Sequence, residues 1–262
     1  MKLLRVGGLI SVMSTMKTTQ CNRPILPVIL AAVTLFSGFG CATRRSAPIA
    51  LFHGTDLHAW RQPAGEWMTA RSAVPAESDP KKLTIEDGTG ILVNGRPGRT
   101  ANLVSVAEHS DVEAHIEFMV PKNSNSGVYF QGRYEVQILD SWGVGHPKYG
   151  DCGGIYASCS DPKPDSPGSP PSVNASRPPG EWQSFDVLFR APRFDAAGRK
   201  TENARFVRVV HNGQVIHENV ESPRPTCSAA WLDEKPLGPL MLQGDHGPVA
   251  YRNISIRPTS LP

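Results

Sequence analysis

Between Asp111 and Val120 the chain reads DVEAHIEFMV: Val112, Ala114, Ile116, Phe118 and Val120 alternate with Glu113, His115 and Glu117, and Pro121 ends the run. Apolar residues at every second position describe a strand with one buried face, and proline stops the ladder because it has no N–H to donate. The same period returns along the chain. Glu181 to Phe189 puts Phe185, Val187 and Phe189 on one side, with Ser184 and Asp186 on the other. Arg205 to His211 and Gln214 to Val220 flank Asn212-Gly213, a dipeptide suited to a type I′ turn because both central residues need positive φ. Gly127 to Gln131 and Tyr134 to Leu139 form a second hairpin pattern joined at Gly132-Arg133, and Leu240 to Gln243 and Val249 to Ile256 bracket Gly244-Asp245-His246-Gly247. No long amphipathic helix interrupts them. With 24 prolines and 24 glycines to make turns, this pattern predicts an all-β chain, one large antiparallel sandwich. Two stretches fall outside it. Arg61 to Lys82 reads as polar and irregular, and Asp161 to Pro179, dense in proline and serine, as a long surface loop.

The amino-terminal region follows another logic. Ile25 to Phe39 is an uncharged, mostly apolar run preceded by Lys17 and Arg23, shorter than the roughly 20 residues of a spanning helix and suited to a signal-peptide core. Gly38-Phe39-Gly40-Cys41 is similar to a lipoprotein cleavage box, although Gly38 stands where leucine is usual. Residues 1–41 are therefore expected to be an export segment and 42–49 a tether, with the single folded domain at 50–260. The expected location is secreted or in the bacterial cell envelope, periplasmic or on the outer membrane, with any membrane contact made through a lipid on Cys41. Met16-Lys17 is a better start for such a segment than Met1. The export segment holds four of the 27 basic residues and no acid, so the remainder carries 23 basic against 24 acidic residues. A near-neutral domain has no electrostatic footprint for nucleic acid. Cys152, Cys159 and Cys227 remain after the export segment, enough for one disulfide, either Cys159 with Cys227 or Cys152 with Cys159. No CxxC pair points to zinc.

The candidate chemistry is concentrated in NSGVYFQGRYEVQILDSWG, residues 125–143. Alternation puts Tyr134, Val136, Ile138 and Asp140 on one side of the strand and Glu135 and Gln137 on the other, so a carboxylate and an amide face something polar. Lys148-Tyr149-Gly150-Asp151-Cys152-Gly153-Gly154-Ile155-Tyr156 follows, then Gln243-Gly244-Asp245-His246-Gly247, where a carboxylate stands beside an imidazole. Trp60, Trp67 and Trp182 are expected in the core, and Trp142, in a loop, is the better ring for stacking on a sugar. No nucleophile elbow, phosphate loop, HExxH or EF-hand sequence occurs. Loop carboxylates could hold a structural calcium, but no ligand set is defined and no cofactor is expected.

Taken in order, these segments resemble the 3-keto-disaccharide hydrolase domain. The resemblance rests on LFHGTDLHAW (51–60), GEW (65–67), NSGVYF (125–130), GRYEVQILD (132–140), DCGGIY (151–156), PGEWQ (179–183), HNG (211–213), LQGDHGPV (242–249) and YRNI (251–254). It implies a concanavalin A-like jelly-roll β-sandwich of two antiparallel sheets with long loops, acting on an oligosaccharide or glycoside whose carbon 3 is a ketone. The ketone acidifies the carbon 2 proton; a base removes it, the oxygen on carbon 1 departs, and water adds back. That reaction needs a base, a donor to the ketone and an acid at the leaving oxygen. The resemblance points to Glu135 and His246 as the acid–base pair, and to Arg133 or Lys148 as the ketone's donor. Gln137, Asp140, Asp151 and Tyr156 would orient hydroxyls or tune the base, with Trp142, Gln243 and Asp245 completing the contacts. The rival expectation is a carbohydrate-binding, lectin-like module without catalysis, since the same sandwich serves both.

Overall fold

The computed structural model describes residues 13–17, 46–160 and 163–262. Apart from 13–17, which carry no regular secondary structure, the stretch expected to be an export segment lies outside these residues, and so does Cys41, the expected lipid site. Among the described residues no helix is long and apolar enough to cross a membrane.

Among the described residues sixteen strands are formed: β1 (Ile49–Phe52), β2 (Met68–Ala76), β3 (Asp79–Val93), β4 (Leu103–His109), β5 (Val112–Met119), β6 (Asn125–Phe130), β7 (Tyr134–Leu139) and β8 (Ser158–Ser160), followed by β9 (Lys163–Ser166), β10 (Gln183–Arg190), β11 (Arg193–Phe194), β12 (Lys200–Glu202), β13 (Ala204–His211), β14 (Gln214–Ser222), β15 (Gly238–Leu242) and β16 (Ala250–Pro258). The larger sheet runs β14–β13–β10–β5–β16–β3–β2, with β1 on the same edge of β16 as β3. The smaller runs β4–β15–β6–β7, all antiparallel. The alternating runs of the sequence are these strands. Their inward residues meet between the sheets, where Phe130 stacks on Phe189 at 5.1 Å and Phe118 packs on Phe185 at 4.7 Å. Such pairs add about 0.5–1.5 kcal/mol to area burial of about 25 cal/mol per Å².

Asn212 and Gly213 both have positive φ, as a type I′ turn requires. The β6–β7 turn is centred one residue earlier than the sequence suggested, with Gln131 and Gly132 in the left-handed region and Arg133 already donating its N–H to Phe130.

Several expectations need correction. Arg61 to Lys82 is not irregular: it contains β2 and the start of β3, which pair as a long hairpin. Much of the outer part of β3 is exposed, so its residues carry no apolar alternation. Pro75 is tolerated because β2 is the sheet's edge. The Pro/Ser-rich stretch is not wholly loop either, since β9 folds back on β8. Ile49, assigned to the tether, already pairs with Ile256 in β1. Trp60 and Trp67 are buried, but Trp182 is only half-buried, with the Arg252 guanidinium 4.1 Å above its ring. Of the two disulfide options, Cys159–Cys227 is the one formed, and Cys152 is a free thiol in the core whose pKa burial pushes up to about 12.

Candidate active site

The site is built on the outer face of the smaller sheet. In the β6–β7 register Tyr129 stands opposite Glu135 and Gly127 opposite Gln137. Since Tyr134, Val136 and Ile138 point into the core, the period of two turns Glu135 and Gln137 outward, as the alternation predicted. Outward does not mean exposed here. Glu135 is 3% exposed, its carboxylate lying over Gly127, where a Cβ would overlap Oε1. The Tyr129 hydroxyl hydrogen-bonds the carboxylate, and Gln243 Nε2 donates to Tyr129 Oη at 3.2 Å, leaving the phenol's own proton for Glu135.

The electrostatics follow from this enclosure. Burial removes water from the Glu135 carboxylate and, with the charge of Asp245 adding to it and the Tyr129 bond opposing, raises its pKa to about 8. Tyr129 is held well above the ordinary phenol range by burial and by Glu135, so it remains a proton donor. The carboxyl is therefore mostly protonated at neutral pH with a minor ionised fraction, within reach of both states for a group that must take up a proton and release it.

A second edge closes the site. Residues 153–156 run along β7 outside the named strands: Gln137 N–H donates to Gly154, Gly153 N–H to Gln137 and Tyr156 N–H to Glu135. Tyr156 is thus delivered beside Glu135, whose charge, after burial, raises the pKa of its half-buried phenol. Tyr149 meets Tyr156 edge to face at 5.5 Å.

The third part is the turn after β15. Asp245 and His246 pair at 2.6 Å, both exposed. The turn is fixed from below by Asn94, which is fully buried. Its Nδ2 serves the carbonyls of Gly98, Gly244 and Gly247 at 3.0, 3.0 and 2.7 Å, while its Oδ1 accepts from Val249 N–H at 2.9 Å. Sequence reasoning passed over Asn94, although a lone Asn-Gly after an apolar run was the available signal. Tyr129 was passed over too, because its position on a strand looked like core.

Several expected residues are occupied elsewhere. Arg133 shares the outward face, but Nη1 donates to Gln131, Nε to the Asp233 carbonyl and Nη2 to the Asp233 carboxylate, with Trp231 5.5 Å away. That guanidinium fastens the 231–237 segment and is not available to a ketone beside Glu135. Asp140 accepts from Asn123 N–H and Trp142 N–H and shapes the strand end. Asp151 accepts from Ser141 Oγ and Lys148 N–H, shaping the next loop. Gln137 is buried on the Glu135 face, with its own Oε1 accepting from Ile138 N–H. Lys148 is exposed on the loop, and Trp142 is 58% exposed. Among the described residues no group of three or more His, Cys, Asp or Glu is placed to hold a metal. A groove of about 360 Å³ on the larger sheet includes His115, Asp186, Glu113 and Arg257. There His115 bonds Asp186 at 2.7 Å and Arg257 bonds Glu113, so these four side chains are paired with one another.

The sequence profile of the 3-keto-alpha-glucoside-1,2-lyase-like domain matches residues 47–257. The chain belongs to this family. A protein of Parabacteroides distasonis ATCC 8503, provisionally named a glycosyl hydrolase, is 28% identical, with a TM-score of 0.61 over 82% of this chain and 86% of the other. A second protein of that organism, named in the same way, superposes with a TM-score of 0.52 at 18% identity over 82% and 95%, a likeness of fold alone. No curated protein matches the chain. Family membership fixes the setting as carbohydrate-active chemistry on a jelly-roll sandwich.

Proposed function

We propose that the protein cleaves the glycosidic bond of 3-keto-glycosides by removing the carbon 2 proton, expelling the oxygen on carbon 1 and adding water to the resulting double bond. The observation that supports this reading is Glu135: a buried carboxyl with its pKa raised to about 8, seated over Gly127 and hydrogen-bonded by Tyr129 on the outer face of the smaller sheet. A carboxylate raised this far is a stronger base than an exposed one, while still ionised to a useful extent near neutrality.

In this reading Glu135 takes the proton from carbon 2, and the electron pair it leaves passes into the carbonyl at carbon 3. Tyr156, kept protonated, is the donor best placed to stabilise the enolate oxygen, in place of Arg133. The enolate's electrons then form the carbon 1–carbon 2 double bond as the bond from carbon 1 to the leaving oxygen breaks. His246, its ring fixed by Asp245, hands that oxygen a proton. Water adds at carbon 1 with the proton returning to carbon 2, and the sum is hydrolysis. An exported protein would meet such sugars outside the cytoplasm, which agrees with the expected signal segment.

The test is incubation of the purified protein with a 3-keto disaccharide and with its unoxidised parent in deuterium oxide, with products read by mass spectrometry. Cleavage of the keto sugar alone, with deuterium at carbon 2, is the expected result. Equal cleavage of both sugars would replace this reading with ordinary glycoside hydrolysis, and binding without cleavage would replace it with a lectin-like module.

A further inference from the structure

The Pro/Ser-rich segment after Cys159 does not stay clear of the site. Its far end returns to the edge that carries Tyr156. Ser169 and Ile155 exchange both backbone hydrogen bonds, Ser169 N–H to Ile155 at 2.9 Å and Ile155 N–H to Ser169 at 3.0 Å. The 153–156 edge is therefore flanked by β7 on one side and by this returning strand on the other.

That return brings Gly168 against Tyr149. A Cβ on Gly168 would stand 2.7 Å from both Cβ and Cγ of Tyr149, nearer than real side chains approach, and would also overlap the Ile155 carbonyl. Gly154 is also close to Tyr149, at its backbone, where a Cβ on Gly154 would overlap the carbonyl oxygen. Two glycines thus clear a seat for one tyrosine, and Tyr156 meets its ring edge-on at 5.5 Å. Despite this seat the residue remains 38% exposed. A tyrosine in the core would be covered and one on a free surface loop would be unsupported; this one is fixed from behind and open in front.

From this geometry we infer that Tyr149 is a sugar-stacking platform beside the Glu135 site, and that the 167–169 return positions it. A pyranose ring has an apolar face of axial C–H groups that packs on an aromatic ring, and a rigid ring loses little entropy on binding it. Tyr149 binds the sugar and takes no part in proton transfer. The proposal rests on the reading of Glu135 above only in naming the sugar as a 3-keto-glycoside.

Two variants of the full chain test it, Tyr149→Ala and Gly168→Val, the second leaving the tyrosine in place but crowding its seat. Near-ultraviolet circular dichroism and the melting temperature establish that each is folded. With a 3-keto disaccharide, Tyr149→Ala is expected to raise KM roughly tenfold while kcat changes less than about threefold, as loss of uniform binding requires. Gly168→Val is expected to follow it in direction, and Tyr149→Phe, which keeps the ring, to recover most of the loss. An unchanged KM, or a fall in kcat alone, overturns the platform. The sugar's dissociation constant, measured by calorimetry in the Glu135→Gln background, separates this outcome from failure of the chemistry. Weakened binding in Tyr149→Ala upholds the platform even where no turnover occurs, and equal binding, or none of either sugar by any variant, overturns it. Where Tyr149→Ala does not fold, the comparison of Gly168→Val with the parent decides by the same criteria.

Discussion

Gly127 lies directly beneath the Glu135 carboxylate, so close that a Cβ at residue 127 would overlap Oε1 and stand 3.0 Å from the Tyr129 ring. The two residues sit on neighbouring strands, Gly127 facing Gln137 and Tyr129 facing Glu135. The missing side chain is the space into which the carboxylate folds. Gly127→Ala should therefore displace Glu135 from Tyr129, and overpacking of this kind costs about 1–3 kcal/mol. We expect kcat for a 3-keto disaccharide to fall at least about tenfold with a melting temperature only a few degrees lower. Wild-type kcat in that variant would show that the carboxylate's position is not what the reaction uses.

Glu135→Gln separates catalysis from stability. Removing a general base typically lowers the rate by about 10²–10⁴. The stability effect has the opposite sign. Glu135 has its folded-state pKa raised to about 8 from an ordinary 4.5, chiefly by burial, so the folded chain holds the proton more tightly than the unfolded one. Its contribution is fully present below about pH 4.5 and is lost as pH rises towards about 8, at up to about 1.4 kcal/mol per pH unit. The groups facing it are Tyr129, Tyr156 and Asp245, of which the two phenols stay protonated throughout that window. Urea denaturation of both proteins should show the variant gaining on the wild type from pH 5 to pH 8 and no further above it. Parallel curves would mean that the carboxyl titrates as an exposed one.

Asn94 is the test of the His246 turn. Its amide serves three carbonyls and its oxygen one N–H, and all but Gly98 belong to the stretch from Gly244 to Val249. Asn94→Ala leaves buried backbone groups without partners, at roughly 2–4 kcal/mol in all. Hydrogen exchange of the Val249 amide should accelerate, and kcat should fall although no atom of Asn94 reaches the sugar. Asn94→Asp keeps the acceptor but loses the donors, so it should protect Val249 and still lose activity. Full activity in both variants would remove the turn from the catalytic apparatus.

What the sequence made legible was whatever repeats. Phe185, Val187 and Phe189 announce their strand because one face is buried for its whole length, and Asn212-Gly213 announces its turn because few other pairs accept two positive φ values. The outer β2–β3 hairpin was illegible for the converse reason: Lys81, Glu86 and Asp87 meet solvent, so burial imposes no period on them. In the site, alternation was enough to put Glu135 and Gln137 on one face. It could not show that Arg133, on that same face, is held by Asp233, a residue 100 positions away in sequence. Nor could it show that Asp140 accepts from Asn123 N–H, 17 residues back across the β6–β7 hairpin, or that Asp151 accepts from Ser141 Oγ, ten residues back. Type and parity are local properties, whereas the partner that occupies a side chain is a long-range one.

The Cys159–Cys227 disulfide closes a loop across 68 residues and lies next to the edge that carries Tyr156. Cys227 N–H donates to Ala157, Cys159 N–H donates to Pro225, and Thr226 N–H reaches Arg133 at the start of β7. The bond thus fastens the 223–227 segment to both the edge and the β6–β7 turn. Chain entropy for a loop of this length gives about 4 kcal/mol, an upper figure for what its loss removes. Cys159→Ala together with Cys227→Ala should lower the melting temperature by several degrees and raise KM more than it lowers kcat, since Glu135 itself is held by β6 and β7. Cys152 supplies an internal control, because a buried thiol with its pKa raised to about 12 is a poor nucleophile. Alkylation followed by peptide mass spectrometry should leave Cys152 unmodified in the native protein, and Cys159 and Cys227 modified only after reduction. Modification of Cys227 before reduction, with Cys152 and Cys159 modified only after it, would reassign the pair, and with it the fastening of the edge.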